Sequence, residues 1–387
     1  MNNLAYIVKD LYNIGLRRHE RRIIDTVLDS PGFAQPVFNI RPKSVQKIAF
    51  IVPGIDKYSG GITSVLRLGT YLAQFGHEIT YADYTNASIN ELCKNASDNL
   101  LGYQGKIASV DSLSANAFDV VIATNWQSVY CLNKFNAYKM YFVQDYEPFF
   151  FNLSERYLLA KLTYELGLHI VSLGSWNVKQ IQRECPSTPS ILEYVDFPFE
   201  PKEYPHCARN YSSYEETKKY VLAVYTKEDG KRIPNIMQSL LYRTSSVLSG
   251  CGLQLDIRFF GAKKSFKPCI GKNLGKLSKS EMLELYKKSD FGMVASMSNI
   301  SLVPYEMLAT GLPVIEFKSG SFESFFPSEA GILIDYNYQT LANRLLSIHN
   351  DASQLTKMLE QANAILGKSN WFRSALQFEK ILKKIVA

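Results

Sequence analysis

The sequence predicts an α/β protein of two Rossmann-like domains, each a parallel sheet covered by helices, facing one another across a cleft. Three observations carry this expectation. The 387 residues exceed one ordinary domain and suit two, each with its own core. Short apolar runs of strand length alternate with longer stretches of helical periodicity, the pattern of a parallel sheet buried on both faces. That alternation stops at one polar, irregular stretch and then starts again.

Residues 1 to about 30 form the first element, a helical extension. Leu4, Ile7, Val8, Leu11, Tyr12, Ile14 and Leu16, then Ile23, Ile24, Val27 and Leu28, recur at helical spacing until Ser30-Pro31-Gly32 stops the pattern. Pro36 and Pro42 mark an extended linker. Strands are expected over 47–52, 78–84, 119–125, 139–144 and 169–173, with helices over 62–75, 154–166 and 176–184. The irregular stretch from Asp196 to Tyr214 is the domain boundary. Beyond it, strands over 219–225, 253–260, 291–295, 313–317 and 331–334 alternate with helices over 236–246, 279–287 and 304–309. A last helix over 369–386 follows a completed sheet and is expected to cross back onto the first domain. The resulting boundaries are 1–40 for the extension and linker, 41–205 and 206–370 for the two domains, and 371–387 for the crossover helix.

Composition narrows the function. Hydrophobic residues are 46% and charged residues 20%, a soluble globular balance, and the longest apolar runs are strand-sized. They fall far short of the ~20 residues a spanning helix needs. No basic stretch followed by an apolar run and a cleavage site opens the chain, so no secretion signal is expected and the location is cytoplasmic. The six cysteines (Cys93, Cys131, Cys185, Cys207, Cys251 and Cys269) are scattered without zinc spacing and are expected as free thiols. The net charge of +7 includes a block of Arg17, Arg18, Arg21 and Arg22. Such a block suits an anionic membrane surface or simply a solvated helix face. Nucleic acid is not expected as a partner, because the basic residues are not interleaved with aromatics.

Three motifs carry chemistry. Pro53-Gly54 through Ser59-Gly60-Gly61-Ile62-Thr63 lies after the first strand and opens a helix. Glycines there let a ligand approach the backbone, and free helix N-terminal amides attract phosphate, although a plain turn uses the same residues. Lys227 and Arg232 follow the first strand of the second domain, where two cations can neutralise a diphosphate; a charged surface loop is the other reading. The segment from Ser296 to Val314 places a polar loop, a short helix with Glu306 in its first turn, and Gly311-Leu312-Pro313 before a strand. An anionic Glu306 can accept hydrogen bonds from vicinal sugar hydroxyls, or simply stabilise the helix start.

This last string resembles the nucleotide-binding signature of glycosyltransferase family 4, a group with the GT-B fold. There an acidic residue, seven others and a second Glu precede a small-residue helix ending in Gly-x-Pro. Glu306, Gly311 and Pro313 match, while the first acidic position is Ser298, a departure. The resemblance implies a phosphate-binding role for Gly60 and Gly61 and for the Lys227/Arg232 pair, with Lys227 in place of the usual Arg. Ala123-Thr124-Asn125-Trp126 and the stretch from Tyr141 through Gln144-Asp145-Tyr146-Glu147 to Phe150 look like WsaF-type bacterial rhamnosyltransferases. Those use dTDP-β-L-rhamnose to build surface glycans. The similarity covers roughly residues 45 to 385.

The expected activity is therefore retaining transfer of a sugar, L-rhamnose for preference, from a nucleotide-diphosphate donor to a growing bacterial surface glycan. The candidate catalytic set is Lys227, Arg232 and Asp145. Gly60, Gly61, Ser298, Ser301, Leu302 and Glu306 are the candidate donor contacts, and Trp126, Gln144 and Glu147 the acceptor or sugar contacts. Asp145-Tyr146-Glu147 could pass for an acidic metal motif, yet no Asp-x-Asp occurs, and neither metal nor cofactor is expected. The acceptor is expected to be a glycan or lipid-linked glycan, reached by peripheral contact at the inner face of the membrane. The competing expectations are a transferase of another UDP- or GDP-sugar, and a degenerate nucleotide- or glycan-binding scaffold.

Overall fold

The computed structural model describes residues 14–387 except 16, 19, 31, 32 and 229. The expected helical extension lies partly outside them; its described part is a helix, α1, over 20–28 that seats Val27 in the core of the first domain.

The first sheet contains β1 (Lys47–Val52), β2 (Glu78–Asp83), β3 (Lys106–Ser109), β4 (Val120–Ala123), β5 (Tyr138–Val143), β6 (His169–Leu173) and β7 (Ile191–Val195). Its order is β3-β2-β1-β4-β5-β6-β7, and every neighbouring pair is parallel. The second contains β8 (Lys219–Tyr225), β9 (Gln254–Phe260), β10 (Lys272–Asn273), β11 (Phe291–Met293), β12 (Val314–Phe317) and β13 (Ile332–Ile334). Its order, β10-β9-β8-β11-β12-β13, is again parallel throughout. Ile48, for example, lies between Ile79 and Val120, so β1 is central and buried. Both sheets reverse their winding direction at one point, between β1 and β4 and between β8 and β11. Open α/β sheets bind ligands beyond the carboxyl ends of strands at such points.

Helices α2 (Gly60–Gln74), α3 (Ile89–Asn99), α4 (Trp126–Cys131), α5 (Glu155–Leu162) and α6 (Ser175–Glu184) serve the first sheet. Helices α7 (Pro234–Gly250), α8 (Lys279–Lys287), α9 (Leu302–Ala309), α10 (Tyr338–Asn350) and α11 (Ser353–Leu366) serve the second. The last helix, α12 (Trp371–Lys384), lies on the first domain. Phe372 meets Tyr71 and Phe75 edge-on at 6.1 and 6.0 Å, and Phe378 meets Phe142 at 5.9 Å.

Several elements carry no strong pattern in the sequence. Only Leu92, Ala96 and Asn99 of α3 are buried, too few for an apolar stripe. Strand β7 is half exposed, with Ile191 and Tyr194 facing solvent. The helix around Glu306 also begins earlier than its Pro304 suggests, at Leu302. Proline is tolerated in a first turn, where its missing N–H has no intrahelical partner.

Candidate functional site

The carboxyl ends of both sheets open on one cleft of about 740 Å³. Its first wall is built by α2. Ser59 at the N-cap makes no capping hydrogen bond and the first turn holds no acid, so the leading amides of a fifteen-residue helix have no side-chain partner. A Cβ on Gly60 would meet nothing within 4 Å, and one on Gly61 only the Gln144 carboxamide at 3.6 Å. The helix end is thus bare, open and positive, which suits an anion.

The opposite wall holds the cations that follow β8. A 3-10 turn over Gly230–Arg232 leads into Ile233, whose φ of 39° is left-handed and unusual for a β-branched residue. This turn directs Arg232 inward, where it is only 4% exposed. Its Nη1 donates to the Ala295 carbonyl at 2.9 Å, while Nε is buried and makes no hydrogen bond within the protein. Lys227 is half-buried on the same wall and has no ion-pair partner among the described residues. Beneath Arg232, fully buried Glu316 accepts hydrogen bonds from the Ser296 N–H at 3.0 Å and hydroxyl at 2.6 Å. Burial raises its carboxyl to about 7, partly offset by those bonds and by the Arg232 charge.

Glu306 lines the cleft but stands in the middle of α9, not in its first turn as expected, so the helix N-terminus does not hold its charge. The Tyr286 hydroxyl donates to it at 3.3 Å. Burial is the main cause that lifts its carboxyl to about 7, with Glu203 pushing the same way. Ser301 and Leu302 line the cleft at the start of α9, and the Ser301 hydroxyl is buried without a hydrogen-bond partner. Unpaired buried polar atoms are costly in a closed core, so Ser301 Oγ and Arg232 Nε on this wall are groups a ligand would satisfy.

Gln144, Asp145 and Glu147 line the cleft from the loop after β5. Glu147 accepts the Trp126 N–H at 2.6 Å, and burial raises its carboxyl to about 8. Trp126 and Ser298 do not reach the cleft. The Trp126 ring is 4% exposed and packed edge-on against Tyr130 and Phe151, so only its backbone serves the site. Ser298 is fully buried and its hydroxyl donates to Asp145 at 2.9 Å.

Five contributors are not among the residues expected from the sequence. Lys231 bonds Asp145 at 3.0 Å and sits 3.7 Å over the Phe150 ring. Asn299 binds the first-domain carbonyls of Gln144 and Leu173 at 2.7 and 2.9 Å. Arg67 on α2 pairs with Glu200 and Glu203, and Lys279 pairs with Glu203 at 2.9 Å, which ties both domains to the connecting segment. Glu316 is the fifth. Its signal was present, a carboxylate inside the apolar strand Val314–Phe317, whereas the other four sit in ordinary polar surroundings.

Among the described residues no group of three or more His, Cys, Asp or Glu side chains could hold a metal ion. None of the six cysteines forms a disulfide.

No family model matches the sequence, and no curated protein matches it. Solved structures do. HepE from Anabaena, in complex with UDP and glucose, has a TM-score of 0.67 and 12% identity over 87% of this chain and 99% of its own. Sucrose-phosphate synthase from Thermosynechococcus elongatus has a TM-score of 0.62 and 14% identity over 88% of this chain and 99% of its own. A glycosyltransferase from Rickettsia africae gives 0.64 and 14% over the same shares. At such identities the likeness defines the fold, which is GT-B: two parallel-sheet Rossmann-like domains around a cleft.

Proposed function

We propose that the chain is a glycosyltransferase that moves a sugar from a nucleotide-diphosphate donor to a hydroxyl of an acceptor glycan. The observation that carries this reading is the pair Lys227 and Arg232 on one wall of the cleft, with the uncapped N-terminus of α2 on the other. A donor diphosphate fits between them, and Glu306 is placed to accept hydrogen bonds from ribose hydroxyls. HepE and its fellow solved structures support the donor class, since HepE is seen with UDP-glucose.

In this reaction the bond from the anomeric carbon to the phosphate oxygen breaks, and the acceptor oxygen bonds to that carbon. The acceptor proton leaves with the departing diphosphate. Lys227, Arg232 and the Gly60 and Gly61 amides stabilise the charge that grows on the leaving group, while the cleft aligns the reactants. We assign no protein nucleophile, metal or cofactor to any step. Transfer with retention, dTDP-β-L-rhamnose as donor and a bacterial surface glycan as product form the finer part of the proposal. Retention rests on the resemblance of the string around Glu306 to the family 4 signature, and the donor and product on the similarity of 123–126 and 141–150 to the WsaF-type sequences.

The test is calorimetry against dTDP, UDP, GDP and ADP, with and without EDTA, followed by donor consumption. Binding of dTDP that ignores EDTA supports the finer reading, and preference for UDP or GDP keeps the transferase while changing the sugar. A nucleotide-binding scaffold, the reading that Ser298 favours, would bind without consuming donor.

The proposal places the enzyme at the inner face of the cell membrane. No described helix is long and apolar enough to cross a bilayer. Arg17, Arg18, Arg21 and Arg22 are all exposed on the N-terminal helical segment, and Glu20 pairs with Arg156 of α5 at 3.0 Å. That contact seats the helix on α5, whose neighbourhood also exposes Leu153 and Leu158, 82% and 58% accessible. Basic and apolar groups together suit an anionic bilayer surface. Vesicles rich in anionic lipid should float the wild-type protein but not the variant with all four arginines changed to glutamate. Equal flotation of both removes the membrane contact.

A further inference from the structure

Asp145 is the most heavily engaged carboxylate on the cleft, and most of its partners belong to the other domain. Its Oδ1 accepts the N–H groups of Tyr146 at 2.9 Å and Asn299 at 3.0 Å. Its Oδ2 accepts the Ser298 hydroxyl at 2.9 Å and the Lys231 ammonium at 3.0 Å. Asn299 then grips the Gln144 and Leu173 carbonyls from the same side. Ser298, with seven residues between it and Glu306, stands at the position where the signature has an acid. A carboxylate on residue 298 would meet Asp145 at hydrogen-bond distance, and two like charges at that range disfavour each other's ionised form. A hydroxyl donor is what the approaching Asp145 requires. The departure at Ser298 and the presence of Asp145 therefore explain one another.

We propose that Asp145 supplies, from the first domain, the carboxylate that the second domain lacks at Ser298, so that the site is complete only when the two domains are closed. Asp145 acts as a positioning residue. It holds the Lys231 ammonium over the Phe150 ring, beside Lys227 and Arg232, and its release on opening frees Lys231 and separates Ser298 and Asn299 from the first domain. The closure follows from the hydrogen bonds alone, whereas its catalytic consequence rests on the glycosyltransferase reading.

A double-mutant cycle tests this with two independent readouts. The proteins are wild type, Asp145→Ser, Ser298→Glu and the double variant that moves the carboxylate across the cleft, all checked for a cooperative melt. Small-angle scattering of the unliganded proteins should show an enlarged radius of gyration for Ser298→Glu, where two carboxylates collide. The double variant again sets one hydroxyl against one carboxylate and leaves Lys231 a partner, so it should return to the wild-type value. In kinetics, Asp145→Ser should lower kcat about tenfold or more while the KM for donor changes little, the mark of a group acting after binding. The double variant should recover most of that loss. Unchanged scattering in all four proteins overturns the latch, and so does a double variant no better in scattering or kcat than the single ones predict. If wild type turns over no nucleotide sugar at all, the glycosyltransferase reading fails while scattering still decides the latch. Asp145→Asn keeps the side-chain shape and loses the charge, so a kcat loss there with a normal melt separates positioning of Lys231 from mere folding.

Discussion

Arg232→Ala is expected to lower kcat by about 100- to 1,000-fold, the usual loss when one fixed donor to a developing oxyanion is removed. Arg232 is 4% exposed, anchored by Ala295, and has a buried Nε with nothing in the protein to bond. Its charge is worth most when the diphosphate departs and negative charge builds beside a guanidinium that is itself buried and weakly screened. The donor KM should move less than kcat, because Lys227 and the α2 amides still bind the ground-state diphosphate. Arg232→Lys should fall between the two, since a single ammonium on a flexible stem cannot keep the Ala295 bond and also present a fork of donors. The substitution leaves Glu316 without its nearby cation but still bonded to Ser296, and burial already favours its neutral form, so the fold is expected to persist. Steady-state kinetics with a thermal melt check the prediction, and an unchanged kcat would remove Arg232 from the reaction.

Glu306→Ala should weaken nucleotide-sugar affinity by about 10- to 100-fold, the range for hydrogen bonds to a charged acceptor. It removes the acceptor of the ribose hydroxyls and leaves the buried Tyr286 hydroxyl only the weak Met282 sulfur at 3.8 Å as acceptor. Glu306→Gln keeps one acceptor oxygen and should lose less. The pH dependence has a definite sign. Burial lifts Glu306 to about 7, so the free protein holds this proton well above the ordinary carboxylate range. A sugar hydroxyl donates best to the ionised form, so affinity should rise as pH goes from 6 to 8. A nucleotide sugar is the right probe, because its diphosphate is esterified at both ends and does not titrate there. In Glu306→Gln that pH step should shrink, any remainder belonging to Glu147 and Glu316, which burial lifts into the same range. The same proton affects stability in the opposite sense. Between the unfolded value near 4.5 and the folded value of about 7, the native state binds more protons than the unfolded chain. Unfolding free energy therefore falls as pH rises through that window. Glu147 and Glu316 shift in the same direction, so the difference between wild type and Glu306→Gln in melts at low and high pH isolates the contribution of this residue.

Each segment's own pattern already records part of this architecture. The apolar runs of β1, β5, β8 and β12 announce buried parallel strands, because nearly every side chain on them, apart from the leading Lys47 and Lys219, is buried or half-buried. The bare Gly60-Gly61 helix start, the Lys227 and Arg232 pair and Glu306 were legible because each sits just after a strand end or in a short recognisable string. How those pieces meet is a property of the folded chain. Ser298 reads from its string as a donor contact at the place of an acid until the fold buries it and brings Asp145, 153 positions away, to its hydroxyl. Trp126 reads as an acceptor or sugar contact until the fold packs its ring behind the loop that its backbone supports. Lys231 looks like any charged loop residue next to a glycine until the two domains, face to face, set it over Phe150. The physical reason is the same in each case. Periodicity reports whether a residue is buried, a property local to its own element. The partners of a charge in the cleft are set by which loops the two sheets hold face to face, and that depends on the whole chain at once.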